Sequence, residues 1–465
     1  MRRFFVHSFG CRATQAEGAL LEQELRRRGL EAAADGRSAD LIVVNTCTVT
    51  AAADQDARHW IRRLHRQNPE GHILVTGCYA QRAPRELAAL PGVRWVVGNS
   101  HKSEIANIIG GGAGESAPGA PAAIPHSALR TPHSVLQPGL AQIITGDILA
   151  HTELRAAAVY AAGAERTRPN VKVQDGCNSR CSFCIIPAVR GRSRSLPLEA
   201  VMGQAEQLHA AGYREIVLSG INLGRWGRDL RPRRTLADML GALLERTAIE
   251  RIRISSVEPL DWTDELLELA AGSRRIARHV HAPLESGSDA VLRRMRRRYR
   301  AAQYAERIQR AAELLPNAAF GADVMAGFPG ETDEEFRQTL ALVERLPFTY
   351  LHVFTYSRRE GTPADAMPGQ VNGVLARQRN RLLRELAASK NLEFRRRQVG
   401  QRLSVVTLHD GAALSDNYLK VKLAAPAEPN RILDVLITGI DEDGIIAVVE
   451  ETEEQSKVQS PKSKV

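Results

Sequence analysis

Residues 175–184, DGCNSRCSFC, bring three cysteines together in one short segment. The spacing Cys-x3-Cys-x2-Cys lets three thiolates point at one centre if the segment is a loop. A closed zinc site takes four ligands, and the residues that flank the run offer no further cysteine or histidine. A four-iron cluster normally takes four cysteines as well. Cys177, Cys181 and Cys184 therefore predict a metal centre with one open position, which is typical of a catalytic site whose last ligand is a substrate or cofactor.

The N-terminal part of the chain carries three more cysteines, each directly after a predicted strand. Apolar strands alternate there with amphipathic helices, which predicts a small parallel α/β domain over residues 1–108. The carboxyl ends of parallel strands meet at one edge of the sheet, so the three thiols can converge on one ligand. The alternative is that they are small buried apolar residues. These cysteines are Cys11, Cys47 and Cys78.

The remainder of the chain divides into four segments by its patterns. Residues 109–169 are rich in glycine, alanine and proline and predict a linker or insertion. Residues 170–397 repeat strand and helix patterns, which predicts a full or partial TIM-like barrel with its chemistry at the carboxyl ends of the strands. Short strands over 398–452 predict a small β-barrel of a kind that often binds RNA. The polar tail, residues 453–465, predicts disorder. The fold class is therefore α/β with a C-terminal β-barrel.

Composition restricts the function classes. A net charge of +10 and a pI of about 9.5 favour a polyanionic partner such as RNA. Arginine supplies most of this charge and stands beside many alanines, so the composition of a GC-rich genome is an equally good explanation. The start of the chain lacks a signal peptide, and no apolar run is long enough for a membrane span. We expect a cytoplasmic protein without a membrane partner, whose cysteines bind metal rather than form disulfides.

Motifs along most of the chain resemble those of the radical S-adenosylmethionine (SAM) methylthiotransferases. The resemblance implies an N-terminal three-cysteine domain, a radical SAM barrel and a C-terminal TRAM domain. It also implies two [4Fe-4S] clusters: one held by Cys177, Cys181 and Cys184 and completed by SAM, the other held by Cys11, Cys47 and Cys78. The clusters and SAM would carry the chemistry, and the sequence assigns no catalytic side chain. The motifs are VNTCTVT, VTGCYAQ, QDGCNSRCSFCIIPAVRGRSRS, LSGINLG, HAPLESGSDAVLRRMRR and DVMAGFPGETDEEF.

By the same resemblance, residues at strand ends of the barrel are expected to contact SAM. Those in LSGIN also fit an ordinary strand-to-helix turn, and the histidine of HAPLES also fits a satisfied core residue. The expected SAM contacts are Ser219, Gly220, Ser255, Ser256, His281, Glu285, Ser286, Gly327 and Gly330.

Basic segments are candidates for RNA contacts. RGRSRS adjoins the cysteine run, and a further basic run spans 293–300; both suit phosphate groups, although solvated charged faces explain such runs as often. NYLKVKL places two lysines and a tyrosine on one predicted strand face. The candidates are Arg190, Arg192, Arg194, Tyr418, Lys420 and Lys422.

The family acts on isopentenyladenosine in tRNA, on threonylcarbamoyladenosine in tRNA, or on an aspartate of a ribosomal protein. KVQDGCN and RGRSRS resemble the threonylcarbamoyladenosine branch most, which implies methylthiolation at C2 of that nucleoside at tRNA position 37; the isopentenyl substrate is the alternative. Electron donation by a flavodoxin or ferredoxin and a sulfur source are implied as well. Two positions depart from the family pattern: Thr14 replaces an asparagine and Glu285 a glutamine. A hypothesis of another class is a non-enzymatic RNA-binding protein with two zinc sites.

Overall fold

The structure, a computed structural model, describes residues 1–109, 141–152, 154, 167–409, 411–442 and 444–449. The chain forms two compact units. The first comprises residues 1–158, 174–195 and 357–366, and the second comprises 159–173, 196–356 and 367–465. The predicted disordered tail and most of the predicted linker lie outside the described residues. Among the helices that the structure does describe, none has both the length and the hydropathy that crossing a membrane requires.

The first unit is built on a six-stranded parallel sheet with the order β2-β1-β3-β4-β5-β6. Its last strand comes from the segment predicted to be a linker or insertion, and it extends the sheet beyond β5. The strands are β1 (Arg3–Ser8), β2 (Glu31–Ala32), β3 (Leu41–Thr46), β4 (His72–Gly77), β5 (Val93–Gly98) and β6 (Gln142–Ile144). The helices are α1 (Arg12–Arg27), α2 (Ala51–Gln67), α3 (Cys78–Arg82), α4 (Pro84–Ala88) and α5 (Ile105–Ile109).

Helices cover both faces of this sheet, which explains why β3 is buried along its whole length. Ile42 and Val44 point to the α2 side, where they pack with Ile61. Leu41 and Val43 point to the opposite side, where they pack with Leu21 of α1 and its neighbours. The helices and loops that carry functional groups therefore start from a rigid sheet edge.

The cysteine run belongs to the same unit and lies between short elements. Strand β7 (Asn170–Asp175) precedes it, and α6 (Ile186–Arg190) and β8 (Arg194–Ser195) follow. Strand β8 pairs antiparallel with the end of β7. The run is therefore the loop between β7 and α6, in a segment whose two ends are held together by the pairing of β7 with β8.

The second unit contains most of the parallel strands of a partial barrel, while β8 and the end of β7 belong to the first unit. The strands form two sheets, with the orders β10-β9-β7-β8 and β11-β12-β13. Isolated bridges between residues in or beside β10 and β11 join the two sheets. The strands are β9 (Glu215–Gly220), β10 (Arg251–Ile254), β11 (His279–His281), β12 (Ala319–Ala326) and β13 (Tyr350–Thr355). The helices are α7 (Leu198–Ala210), α8 (Leu236–Arg246), α9 (Asp264–Gly272), α10 (Asp289–Arg294), α11 (Ala301–Leu314), α12 (Asp333–Arg345) and α13 (Gly373–Gln398).

The same unit ends in a closed five-stranded barrel with the order β14-β15-β16-β18-β17. Its interior is apolar and includes Val405, Val421 and Val435. The predicted α/β architecture and C-terminal β-barrel are thus confirmed. The strands are β14 (Arg402–Thr407), β15 (Ala412–Ser415), β16 (Lys420–Leu423), β17 (Ile432–Ile440) and β18 (Ile445–Val449).

Candidate metal centre

The cysteine run is held open by hydrogen bonds at its base. Gly176 adopts a φ of 68°, and a Cβ atom there would lie 2.0 Å from the carbonyl oxygen of Arg192, so no larger residue fits. The Cys177 amide donates to the Gly191 carbonyl (3.1 Å), and the Ser179 amide donates to Cys177 Sγ (3.4 Å). The Cys184 amide donates to the Cys181 carbonyl (3.2 Å). The three thiols are thereby displayed, half-buried, on one short loop.

The other three cysteines follow strand ends, as expected. Cys11 precedes α1, Cys47 follows β3, and Cys78 begins α3 directly after β4. Cys47 lies against Gly10, where an added Cβ would be 3.0 Å from its Sγ atom. Cys47 and Cys78 are buried, whereas Cys11 is exposed. All six cysteines are thiols, with no disulfide among them.

Each of these three thiols has a polar group beside its sulfur. Thr14 Oγ1 lies 3.3 Å from Cys11 Sγ, and the Asn99 amide donates to Cys78 Sγ at 3.6 Å. The Val49 backbone amide bonds to Cys47. Hydrogen-bond donors of this kind stabilise thiolates and metal-bound sulfur.

The pKa values of the buried thiols indicate that the sulfurs are close enough to interact. Burial, together with the neighbouring Cys78 and Cys11, raises the pKa of Cys47 to about 11. Burial also raises the pKa of Cys78, while the Arg190 and Lys102 cations act against that rise. Ionising the two buried thiols beside Cys11 would therefore need a compensating cation or metal.

A buried network of ion pairs lies beside these thiols. Arg190 Nη1 donates to Glu17 Oε1 (2.7 Å) and Asp175 Oδ1 (3.0 Å), and the Arg190 side chain is 2% exposed. Lys102 Nζ donates to Glu17 Oε2 (2.6 Å). Arg190 also approaches the hydroxyl of Thr14 (3.5 Å), which itself contacts Cys11. The network therefore links α1, the segment after β5 and the cysteine-run segment.

The two sets of thiols are neighbours within the first unit. Cys78 packs with Ile185 and Val189, which directly follow the cysteine run. Asn99 donates to both Cys78 Sγ and the Val189 carbonyl (2.8 Å). A residue of the segment 357–366 also reaches the run, because the Ala364 amide donates to the Ser182 carbonyl (2.8 Å).

The two sets of cysteines are compatible with thiolate-bound iron–sulfur clusters. Each set supplies three thiols, so a metal centre bound there would keep an open position. The thiols accept hydrogen bonds, and buried cations stand near those of the N-terminal site. Both features suit thiolate-bound clusters that carry net negative charge.

The expected SAM contacts lie in the second unit at strand ends. Ser219 and Gly220 end β9, Ser255 and Ser256 follow β10, and His281 ends β11. The Ser219 hydroxyl points to the Val171 carbonyl (3.4 Å). All five residues thus lie at or directly after the carboxyl ends of their strands.

The remaining expected SAM contacts differ in their surroundings. Glu285 has a φ of 62°, and burial raises its pKa to about 7. Gly327 and Gly330 have positive φ values and shape the turn after β12. Ser286 is fully buried, and its hydroxyl lies 3.2 Å from that of Thr339. The structure therefore does not support Ser286 as a SAM contact, since its hydroxyl serves the loop itself.

Two of the expected RNA contacts are wrong. Arg190 and Arg194 are 2% and 6% exposed, and both guanidinium groups bind Asp175 inside the first unit. Their charges are neutralised there, so they do not offer phosphate contacts. Arg192 between them is exposed and stays a candidate.

The C-terminal candidates also separate. Tyr418 does not share the strand of the lysines: it lies in a turn with a φ of 67°, and its ring stacks on His279 with centroids 4.3 Å apart. The prediction of base stacking by Tyr418 is therefore wrong for this arrangement. Lys420 and Lys422 lie on the exposed face of β16, as expected from the alternation.

Three functional residues of the N-terminal site escaped the sequence analysis. Glu17 and Lys102 are ordinary charged residues in helical segments, and nothing in the local pattern distinguishes them. Asn99 follows β5 at the same sheet edge as the cysteines. Its position directly after a predicted strand, in VVGNS, is the sequence feature that indicates a role for Asn99.

Two family models match the chain, and each match contains one of the two sets of three cysteines. The radical SAM superfamily matches residues 171–343, which contain the cysteine run. A family described as uncharacterized protein family UPF0004 matches residues 3–98, which contain the three N-terminal cysteines.

Curated relatives match over nearly the whole chain. The threonylcarbamoyladenosine tRNA methylthiotransferase MtaB of Bacillus subtilis (strain 168) is 37% identical and covers 89% of each chain. The protein of the same name from Aquifex aeolicus (strain VF5) is 34% identical over 92% of this chain and 98% of its own. Among solved structures, the radical SAM methyltransferase TsrM from Kitasatospora setae matches with a TM-score of 0.57 and 16% identity, covering 78% of this chain and 75% of that one. The last match concerns the fold alone.

Proposed function

This chain belongs to the radical SAM methylthiotransferase family, and from that premise we propose that it adds a methylthio group to C2 of N6-threonylcarbamoyladenosine at position 37 of tRNA. The observation that supports this proposal most is that two three-thiol sites lie next to each other in one compact unit. A transfer enzyme needs a place that generates reactivity and a place that holds the group to be transferred, and these sites provide both.

A [4Fe-4S] cluster and SAM are the cofactors of the radical SAM superfamily to which residues 171–343 belong. Cys177, Cys181 and Cys184 would hold the cluster and leave one position for SAM. When bound, the pair supplies the one-electron chemistry that an unactivated C–H bond requires and that protein acids and bases lack. A second cluster at Cys11, Cys47 and Cys78 is part of the proposal, with the transferred sulfur as its cargo.

The chain's own residues position and insulate these groups. Gly176 lets the run approach Arg192 closely, which fixes the loop on which the thiols stand. Burial of Cys47 and Cys78 shields two of the three thiols of the N-terminal site from water. The Arg190 and Lys102 cations place positive charge beside thiolates that would otherwise be costly to bury.

The partners complete the proposal. The substrate is tRNA, with Lys420, Lys422 and Arg192 as exposed basic candidates for its phosphates. A flavodoxin or ferredoxin would donate electrons, and a separate source would replenish the sulfur.

The test is deletion of the gene in its host, followed by mass spectrometry of total tRNA nucleosides. We expect methylthio-threonylcarbamoyladenosine to disappear and its unthiolated precursor to accumulate. A gene for the intact protein should restore the nucleoside, and one for Cys181→Ala should not. Loss of the isopentenyl counterpart instead would assign the chain to that substrate, and no change in either would direct attention to the ribosomal protein.

Anaerobic purification tests the non-enzymatic zinc alternative separately. We expect brown protein that holds iron and acid-labile sulfide. Colourless protein with two zinc ions per chain would refute the enzymatic proposal.

A further inference from the structure

One face of the β11–β13 sheet carries further polar and aromatic side chains beside the expected SAM contact His281. In parallel pairing, His281 lies opposite Gly321, Asp323 opposite His352, and Met325 opposite Phe354. Side chains paired in this way point to the same face of the sheet. The alternate residues Ala322, Val324 and Val353 are buried on the other face. The face that carries Asp323, His352 and Phe354 is therefore the one that is not covered by the core; we call it the β12–β13 face.

Phe354 is unusual on this face because it is exposed. Its side chain is 45% exposed, whereas Phe320, Phe328, Phe336 and Phe348 of the same unit are at most 5% exposed. It lies near the carboxyl end of β13, the end at which ligands bind in barrels of parallel strands. An exposed ring at such a place is typical of a stacking platform for a base.

A polar pair lies one layer below Phe354. His352 Nδ1 is 3.2 Å from Asp323 Oδ1, and His281 Nε2 is 3.6 Å from the same oxygen. The His352 side chain is 51% exposed and that of Asp323 is 25% exposed. Both groups can therefore reach a ligand without leaving the pair.

The floor of the face is closed. Tyr418 from the β-barrel stacks on His279, and His279 Nε2 lies 2.6 Å from the hydroxyl of Tyr350. Tyr350 and His279 begin their strands, so the amino ends of the sheet are blocked and the carboxyl ends remain accessible. A ligand on the β12–β13 face would enter from the carboxyl side with its apolar ring against Phe354 and its polar atoms toward Asp323 and His352.

We propose that Asp323, His352 and Phe354 form the subsite for the modified adenine of the substrate nucleoside and make the enzyme selective for a polar N6 substituent. This inference rests on the proposed function. A threonylcarbamoyl group offers ureido N–H donors, a hydroxyl and a carboxylate, which can pair with the Asp323–His352 couple. An isopentenyl group is a hydrocarbon, so it would remove water from Asp323 and His352 without replacing the hydrogen bonds that they make to water. The site would therefore reject the isopentenyl nucleoside.

The test compares His352→Leu with wild-type enzyme on anticodon stem-loop RNAs that carry either threonylcarbamoyladenosine or isopentenyladenosine. We expect the KM for the threonylcarbamoyl RNA to rise about tenfold or more and the preference over the isopentenyl RNA to fall by a similar factor. An unfolding temperature and an iron content equal to those of wild-type enzyme should show that the variant is folded and loaded. The matched control is His59→Leu, an exposed histidine on α2, which should keep the wild-type KM.

A second variant separates base stacking from substituent recognition. Phe354→Ala should raise the KM for both RNAs alike, because a base face is the same in each. An unchanged KM in both variants, with wild-type enzyme active on the threonylcarbamoyl RNA, would overturn the subsite while leaving the proposed function intact. Wild-type enzyme inactive on that RNA would instead overturn the proposed function.

A divalent cation at the same side chains is the competing occupant. His281, Asp323 and His352 offer ligand atoms within 4.8 Å of one another. One equivalent of zinc or manganese per chain, beyond the cluster iron and lost in His352→Leu, would overturn the subsite in favour of a metal site. Metal contents that are equal in the two proteins would support the nucleoside.

Discussion

Arg190 shows how one residue changes meaning between sequence and structure. In the sequence it belongs to a basic run beside a metal loop, which suggests a phosphate contact. In the structure it is buried, and its guanidinium group binds Glu17 and Asp175 beside the N-terminal thiols. Thr14, which departs from the family pattern, lies between Arg190 and Cys11. A hydroxyl can serve both neighbours, so the departure preserves a polar contact to the cysteine.

We expect Arg190→Gln to destabilise the protein by about 3 kcal/mol, because it leaves Glu17 and Asp175 buried with less compensating charge. Thermal unfolding under anaerobic conditions measures the effect. Arg192→Gln is the matched control, since Arg192 is an exposed arginine two residues away and should change stability by about 0.5 kcal/mol or less. Equal unfolding temperatures for the two variants would contradict the structural role of Arg190.

Glu285 gives a prediction for pH dependence. Burial raises its pKa from 4.5 to about 7, with Arg297 acting in the opposite direction. A carboxyl whose pKa is raised by folding favours the folded state most below pH 4.5, and this contribution is lost as the pH rises to 7. Glu285→Gln should therefore stabilise the SAM-free protein at pH 8, on the order of 2 kcal/mol, and have little effect at pH 4.5. Unfolding temperatures at the two pH values test this, with the exposed Glu313→Gln as a control; an effect that is the same at both would refute it.

At the scale of elements, strand ends were the most informative feature of the sequence. Cys47 and Cys78 follow β3 and β4, and Cys11 follows β1, so all three lie at the edge where these parallel strands end. The ion pairs that surround the thiols were not predictable in this way. Glu17 and Arg190 are separated by most of the first unit's chain, and no local period indicates which charged residues become buried partners.

The six cysteines lie in two sets on different elements, which predicts that one set serves SAM cleavage and the other serves methylthio transfer. Cys181→Ala disrupts the β7–α6 loop site and should abolish 5′-deoxyadenosine formation from SAM. Cys47→Ala disrupts the site after β3 and should keep SAM cleavage but lose methylthio transfer to tRNA. Each variant should also lose about half of the reconstituted iron, which confirms that one site at a time is affected. Loss of both activities in Cys47→Ala would mean that the two sites do not divide the work.

At the scale of the whole molecule, the sequence predicted the order of the folded segments along the chain. It did not predict which segments pack together in each compact unit. Residues 357–366 follow β13, the last strand of the partial barrel, yet they belong to the first unit. Arg359 binds Asp54 at 2.7 Å, and the Ala364 amide binds the cysteine run. Such contacts join residues that are far apart in the chain, so strand and helix periods contain no information about them. The same holds for Tyr418, whose turn packs on the barrel strands instead of facing a ligand.

The exposed lysines of the C-terminal barrel lead to a prediction about the binding of tRNA. Lys420 and Lys422 are the exposed lysines of β16, and each phosphate contact releases counterions from RNA. We expect the double variant Lys420→Ala and Lys422→Ala to weaken binding of tRNA and to lower the slope of log affinity against log salt by about 1.5. Fluorescence anisotropy with labelled tRNA over a range of salt concentrations measures both quantities. The control is Arg310→Ala with Arg337→Ala, which removes the same charge from α11 and α12. Parallel salt dependences for the lysine variant and wild-type protein would show that tRNA does not contact this face of the barrel.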